Sequence, residues 1–202
     1  MEKKDTKIER RFYELPVKIE TRDGNTESRT VVGSAAVFDK WSNPMGGWFR
    51  EKIDRHAFDN VLDQDTVALF NHDANLVLAR NSANTLKLSV DDTGLRYEFE
   101  APNTTAGNDL LENIHNGNVS HSSFAFSVKT EQWGKSESPD VEEDRTIVEV
   151  DQLIDVSPVV FPAYPDTSVA KRSFDEYQKK NKSKSSDLEI SKAKLSLSKH
   201  SI

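Results

Sequence analysis

The chain has 202 residues, 35% hydrophobic and 30% charged, a more charged balance than an average globular domain, and its length allows one domain of about 150 to 170 residues plus a tail. It has no cysteine, which excludes disulfides, zinc–thiolate sites and a cysteine nucleophile. Its net charge of −7 argues against nucleic acid as a main partner, and no apolar run approaches the roughly 20 residues that span a bilayer.

Residues 1–11 are largely charged and are expected to form a flexible N-terminus without the apolar stretch of a signal peptide. A soluble protein made in the cytoplasm is therefore expected. Phe12 to Glu20 alternates and reads as a strand, and Ser28 to Phe38 as a second, with Gly33 marking a bulge or a close approach. The turn residues between them predict a hairpin. Asp39 to Gly47 is a loop rich in turn formers, and Trp48 to Ile53 reads as a short strand. Asp54 to Leu62 reads as a short helix with Asp54 as N-cap. Val67 to Asn71 is a buried strand that ends at His72.

Thr85 to Val90 and Leu95 to Glu100 flank Asp91-Asp92-Thr93-Gly94 and predict a second hairpin. Thr105 to Asn116 is helical, with Leu110, Leu111 and Ile114 on one side and Gly117 as its stop. Val119 to Lys129 is a strand, Glu131 to Asp144 an acidic loop, and Thr146 to Phe161 a long strand. Residues 12–174 are expected to form the domain, ending in a helical turn or more over Thr167 to Phe174. Residues 175–202 form a Lys- and Ser-rich tail, disordered or weakly helical. The tail holds seven lysines against four acids, whereas residues 1–174 hold twenty basic against thirty acidic residues. The sum is a mainly antiparallel β domain with a few helices, α+β, arranged as a bent sheet or barrel.

Five histidines can supply a base near neutral pH: His56, His72, His115, His121 and His200. Each also has an ordinary structural reading, and His72 stands out only because it ends an apolar strand where it meets a loop. Ser120, Ser122 and Ser123 cluster in one strand, where hydrogen-bonding edge residues are the simpler explanation. No Gly-x-Ser-x-Gly elbow, His-Glu-x-x-His spacing, Walker loop or dinucleotide fingerprint is present. No metal or cofactor is expected.

Four ordered stretches resemble the caudoviral prohead serine protease family, which is related to the herpesviral assemblins. Val32-Gly-Ser-Ala-Ala-Val-Phe is followed by Gly46-Gly-Trp-Phe-Arg-Glu-Lys-Ile-Asp-Arg-His-Ala-Phe, where His56 replaces a family glycine. Leu69-Phe-Asn-His-Asp and Leu78-Ala-Arg are similar to the family's Asn-His-Asp and Leu-Gly-Arg. Gly117-Asn-Val-Ser-His-Ser-Ser-Phe-Ala-Phe resembles the stretch ending Ser-Phe-Gly-Phe, with Ala125 in place of glycine. Leu153-Ile-Asp-Val-Ser-Pro-Val-Val-Phe-Pro-Ala is similar to Leu-x-Glu-Val-Ser-x-Val-x-x-Pro-Ala, with Asp155 in the glutamate position. The likeness spans about residues 12–172.

The resemblance implies an assemblin-like protease fold and a prohead maturation serine endopeptidase. Its nucleophile would be Ser123, its base His72, and its third member Asp155, with Glu149 and Asp151 as alternatives of the same strand parity. The Phe-Ala-Phe that follows favours Ser123 over Ser122, and the two serines face opposite sides of a strand. Oxyanion donors are expected within Val159 to Ala163, and Arg80 either supports the site or forms a surface ion pair. The implied substrates are the major capsid protein, the scaffold and the protease itself, inside the assembling prohead in the host cytoplasm. A homodimer or scaffold-bound activation is compatible with the resemblance. The tail is read as a docking signal for an acidic scaffold surface or as a segment removed by self-cleavage. The alternative reading is a catalytically silent scaffold or capsid-assembly protein on the same fold, kept open by Ala125, His56 and Asp155.

Overall fold

Short β-branched and aromatic runs bounded by turn formers dominate the chain, and they assemble into two sheets around a main core, with a smaller cluster at Met45, Phe49 and Ala170. A computed structural model describes residues 7–13, 15–21, 28–161 and 169–182. The larger sheet runs in the order β1 (Ile8–Tyr13), β9 (His121–Lys135), β10 (Glu143–Val159), β5 (Val67–Phe70) and β6 (Asp73–Arg80). Its sixth strand, β4 (Phe49–Ile53), lies parallel to the start of β10, and β5 lies parallel to its end. The smaller sheet runs β2 (Lys18–Ile19), β3 (Thr30–Val37), β8 (Gly94–Glu100) and β7 (Leu86–Val90).

The core lies between the sheets. Val31 and Ala35 of β3, Tyr97 and Phe99 of β8, Phe124 and Phe126 of β9, and Val156 of β10 are all buried there. At Gly33, an added Cβ would collide with the Tyr97 ring, so the expected close approach is real, and a register shift follows between Ser34 and Ala36. Helix α1 (Thr105–His115) is capped by the Thr104 side chain, which accepts from Gly107 N–H at 3.2 Å. It ends at Gly117, whose φ of +74° is the left-handed conformation that glycine adopts without strain. Leu110 is buried, with Leu111 and Ile114 packed beside it.

The architecture is mainly β with helices, as expected; among the described residues neither sheet closes, so of the expected bent sheet or barrel the barrel is not formed. Other expectations change for local reasons. Phe12 to Glu20 is two strands in different sheets: β1 pairs with β9, and only β2 forms the hairpin with β3. Asp54 to Leu62 is a series of turns with i→i+3 bonds such as Ala57 N–H to Asp54 O (3.0 Å), because Asp54 caps His56 N–H (2.9 Å) in a turn and no helix propagates. The expected loop over Glu131 to Asp144 shrinks to residues 136–142, since β9 and β10 zip up to the pair Lys135–Glu143. Strand β6 was not foreseen. Residues 169–182 are helical (α2), running past the expected boundary at 174. This helix is held by Trp133, which stacks on Tyr177 at 4.6 Å. Residues 1–6 and 183–202, with most of the expected N-terminal segment and tail, lie outside the described residues.

Strand β1 starts at Ile8, inside the stretch expected to be flexible, because it is anchored by buried charge. Glu9 and Arg11 of β1, Glu51 of β4 and Arg145 of β10 are all buried. Arg145 bonds Glu9 (2.9 Å) and Glu51 (2.6 Å), and Arg11 bonds Glu51 at 2.7 Å. Burial alone would raise the Glu9 carboxyl, but Arg145 and Arg11 outweigh it and bring it down to about 2. Burial likewise opposes the charge on Arg11 and Arg145, yet the carboxylates raise both above the ordinary range.

Candidate active site

The site forms where the ends of β5, β9 and β10 lie side by side. Asn71 and His72 link β5 to β6 as a two-residue hairpin loop closed by the pair Phe70–Asp73. Both have positive φ, 54° and 59°, as a type I′ turn requires. Asparagine suits that geometry, whereas a histidine held there costs of order 1 kcal/mol. Glycine is the usual residue at the second position, so the imidazole is being kept in place against a local preference. The turn is tied to β10 from both sides: Asn71 N–H donates to Pro158 O (3.0 Å), and Val160 N–H donates to Asn71 Oδ1 (2.9 Å).

The imidazole reaches across to both long strands. His72 Nδ1 lies 2.6 Å from Asp155 Oδ1, and His72 Nε2 lies 2.7 Å from Ser123 Oγ. An ionised carboxylate only accepts, so the proton sits on Nδ1 and Nε2 is left to accept from the serine. Side-chain exposure is 10% for His72 and 5% for Asp155, and Ser123 is fully buried. The serine hydroxyl has a second acceptor, Arg11 O at 3.0 Å on the neighbouring strand β1. One hydroxyl proton serves one acceptor at a time, so Arg11 O competes with the imidazole for it.

Two features of β9 and β10 set these directions. Ser122 and Ser123 are neighbours and face opposite ways, so Ser122 Oγ meets Tyr97 OH at 2.8 Å in the inter-sheet core and takes no part in the site. Burial pushes the Tyr97 phenol up, which leaves it a neutral partner for that bond. On β10, the register shifts between Leu153, opposite Phe126, and Asp155, opposite Ala125. Such a bulge re-aims the side chain that follows it. The shorter aspartate therefore contacts His72 directly.

Further bulges between Ile147 and Gln152 break the parity on which Glu149 and Asp151 were alternatives. Glu149 is bound to Lys129 (2.8 Å) and Asn60 (3.1 Å), and Asp151 is exposed. Arg80 forms an exposed ion pair with Asp65. His56 is exposed and bonds Asp59 at 3.0 Å; His115 is exposed at the end of α1; His121 bonds Ser120 at 2.9 Å. His200 lies outside the described residues. In the segment expected to hold oxyanion donors, Val160 N–H is committed to Asn71, and Pro162 and Ala163 lie outside the described residues. Among the described residues no group of histidines and carboxylates could hold a metal ion, and no helix is long and apolar enough to cross a membrane.

Sequence reasoning singled out neither Asn71 nor Ser157. Ser157 Oγ lies 2.9 Å from Asp155 Oδ1 and 3.2 Å from His72 Nδ1. Its position two residues after Asp155 on one strand was the available signal. The Asn-His pair between an apolar run and Asp73 was the signal for the turn.

Residues 15–180, well over half of the chain, match the family described as caudovirus prohead serine protease. No curated protein and no solved structure matches.

Proposed function

The chain belongs to the caudovirus prohead serine protease family, and on that premise we propose that it cleaves peptide bonds through an acyl-enzyme on Ser123, with His72 as general base and Asp155 as its orienting partner. Membership supports a capsid maturation role, with capsid protein as the substrate class and the prohead in the host as the place of action. The observation that carries the residue assignment is the continuous chain of bonds from Asp155 through both nitrogens of His72 to Ser123 Oγ.

The steps follow from that chain. Ser123 Oγ attacks the scissile carbonyl carbon as its proton passes to His72 Nε2, and Asp155 stabilises the imidazolium through Nδ1–H. Nε2 then gives the proton to the departing amine as the C–N bond breaks, leaving the acyl group on Oγ. Water repeats the sequence: its proton goes to Nε2, its oxygen bonds the acyl carbon, and the proton returns to Oγ as the acid product leaves. Because Ser123 is fully buried with Arg11 O beside it, a substrate carbonyl reaches Oγ only after the cover of the site shifts. That suits an enzyme switched on by assembly. Cleavage of the scaffold, self-cleavage and homodimerisation are part of the same proposal.

The test is coexpression with the major capsid protein, followed by intact mass. Wild type is expected to cleave the capsid protein, and Ser123→Ala or His72→Ala to lose about 10⁴-fold or more of the rate. Equal cleavage by Ser123→Ala, or none by wild type, overturns the reading.

A further inference from the structure

Asp155 has a second donor besides His72. Ser157 follows it by two residues on β10 and so faces the same way. It pairs in register with Ser123, the proposed nucleophile. It is fully buried, and its hydroxyl lies within reach of two groups of the site: 2.9 Å from Asp155 Oδ1 and 3.2 Å from His72 Nδ1. Its one proton goes to the carboxylate oxygen, because Nδ1 carries its own proton and cannot accept. Oδ1 thus receives Nδ1–H and Ser157 O–H together.

This arrangement solves a problem that His72 alone leaves open. The terminal torsion of an aspartate is broad, so a single hydrogen bond does not fix the plane of the carboxylate. Asp155 is buried, so bulk water cannot act as the second donor, and a buried ionised group needs fixed partners. The neighbouring hydroxyl supplies one. With two donors converging on one oxygen, the carboxylate cannot turn without losing both, and the imidazole it holds keeps Nε2 aimed at Ser123 Oγ.

We propose that Ser157 is a positioning residue of this site, whose hydroxyl locks the Asp155 carboxylate and, through it, the His72 imidazole in the orientation that activates Ser123. The proposal rests on the assignment of Ser123, His72 and Asp155 made above. Ser157 touches no reacting atom, so its effect is on how fast the nucleophile is activated and not on how tightly a ligand is held.

The test uses the full chain as wild type, Ser157→Ala and Ser157→Thr; the histidine resonance is read on the chain alone, and labelling on the chain coexpressed with the major capsid protein, where assembly shifts the cover of the site. The probe is a fluorophosphonate, which bonds phosphorus to an activated serine oxygen with loss of fluoride, and labelling is followed by intact mass. Ser157→Ala is expected to lower kinact about tenfold, the scale of one lost hydrogen bond to a charged group, with KI unchanged. The downfield Nδ1–H proton resonance of His72, identified by its absence in His72→Ala, is expected to move in Ser157→Ala. Ser157→Thr keeps the hydroxyl and should restore both. An unmoved resonance in Ser157→Ala, an unchanged kinact, or a threonine variant that restores neither overturns the proposal. If wild type takes no label, or takes it elsewhere than Ser123, the assignment of the nucleophile fails instead, and the resonance comparison still decides whether Ser157 orients His72.

Discussion

Glu9, Arg11, Glu51 and Arg145 form one buried polar cluster in the larger sheet; His72, Ser123, Asp155 and Ser157 form another. The first consists of four full charges, each facing an opposite one. Arginine does not deprotonate in proteins, and Arg145 and Arg11 hold the Glu9 carboxyl well below its ordinary range, so no proton there has anywhere to go. The second has one carboxylate, one imidazole and two hydroxyls, and its protons have alternative acceptors: Ser123 Oγ can serve His72 Nε2 or Arg11 O. Burial is similar in both. What differs is whether the partners leave a proton free to move, and that separates a cluster that fastens strands from one that can do chemistry. Arg11 belongs to both, with its guanidinium in the first and its carbonyl against Ser123 Oγ in the second.

Arg145 is the residue on which the first cluster depends most. Arg145→Ala leaves Glu9 and Glu51 buried with only Arg11 between them. The expected loss is about 3–5 kcal/mol of stability, read by urea denaturation at pH 7. A loss below about 1 kcal/mol would mean that the charges do not fasten β1, β4 and β10 together.

Acid sharpens the contrast next. The Glu9 carboxyl is depressed from 4.5 to about 2 in the folded protein. Its contribution is therefore complete above pH 4.5 and is lost as the pH falls towards about 2. The shift corresponds to a contribution of order 3 kcal/mol. Urea midpoints measured from pH 6 to 2 should fall across that window, and Glu9→Gln should flatten the slope. An equal slope in wild type and Glu9→Gln would remove Glu9 from the account.

The smallest effect concerns the other face of β9. Ser122→Ala leaves the buried Tyr97 hydroxyl without its partner, a cost of about 1–2 kcal/mol. Fluorophosphonate labelling of Ser123 should be unchanged. A large fall in labelling with a folded protein would show that the two faces of the strand are not independent.

Much of this was legible in the chain. Local patterns located α1 with its glycine stop, the β7–β8 hairpin and the close approach at Gly33, because each depends on neighbouring residues. The ordered motifs drew attention to His72, Ser123 and Asp155, and alternation alone put Ser122 and Ser123 on opposite faces. The Asn71–His72 turn was missed because a histidine at positive φ defies the usual turn composition. The ion cluster was missed because Glu9, Glu51 and Arg145 are far apart in sequence, and their motif positions look like solvated charge.

Composition, periodicity and ordered motifs are enough to specify a mainly β protein of this family, with a helix after β8 and a serine-bearing strand after that helix. Which carboxylate meets His72 depends on the folded sheet. Side-chain direction along β10 depends on where its register shifts against β9, and those bulges are set by non-local pairing on both sides of the strand. Counting alternate residues from Asp155 back to Asp151 and Glu149 crosses several such shifts, so parity could not tell them apart. The same pairing put Ser157 opposite Ser123 and closed Arg11 O over the Ser123 hydroxyl, contacts between residues far apart in the chain that no local pattern encodes.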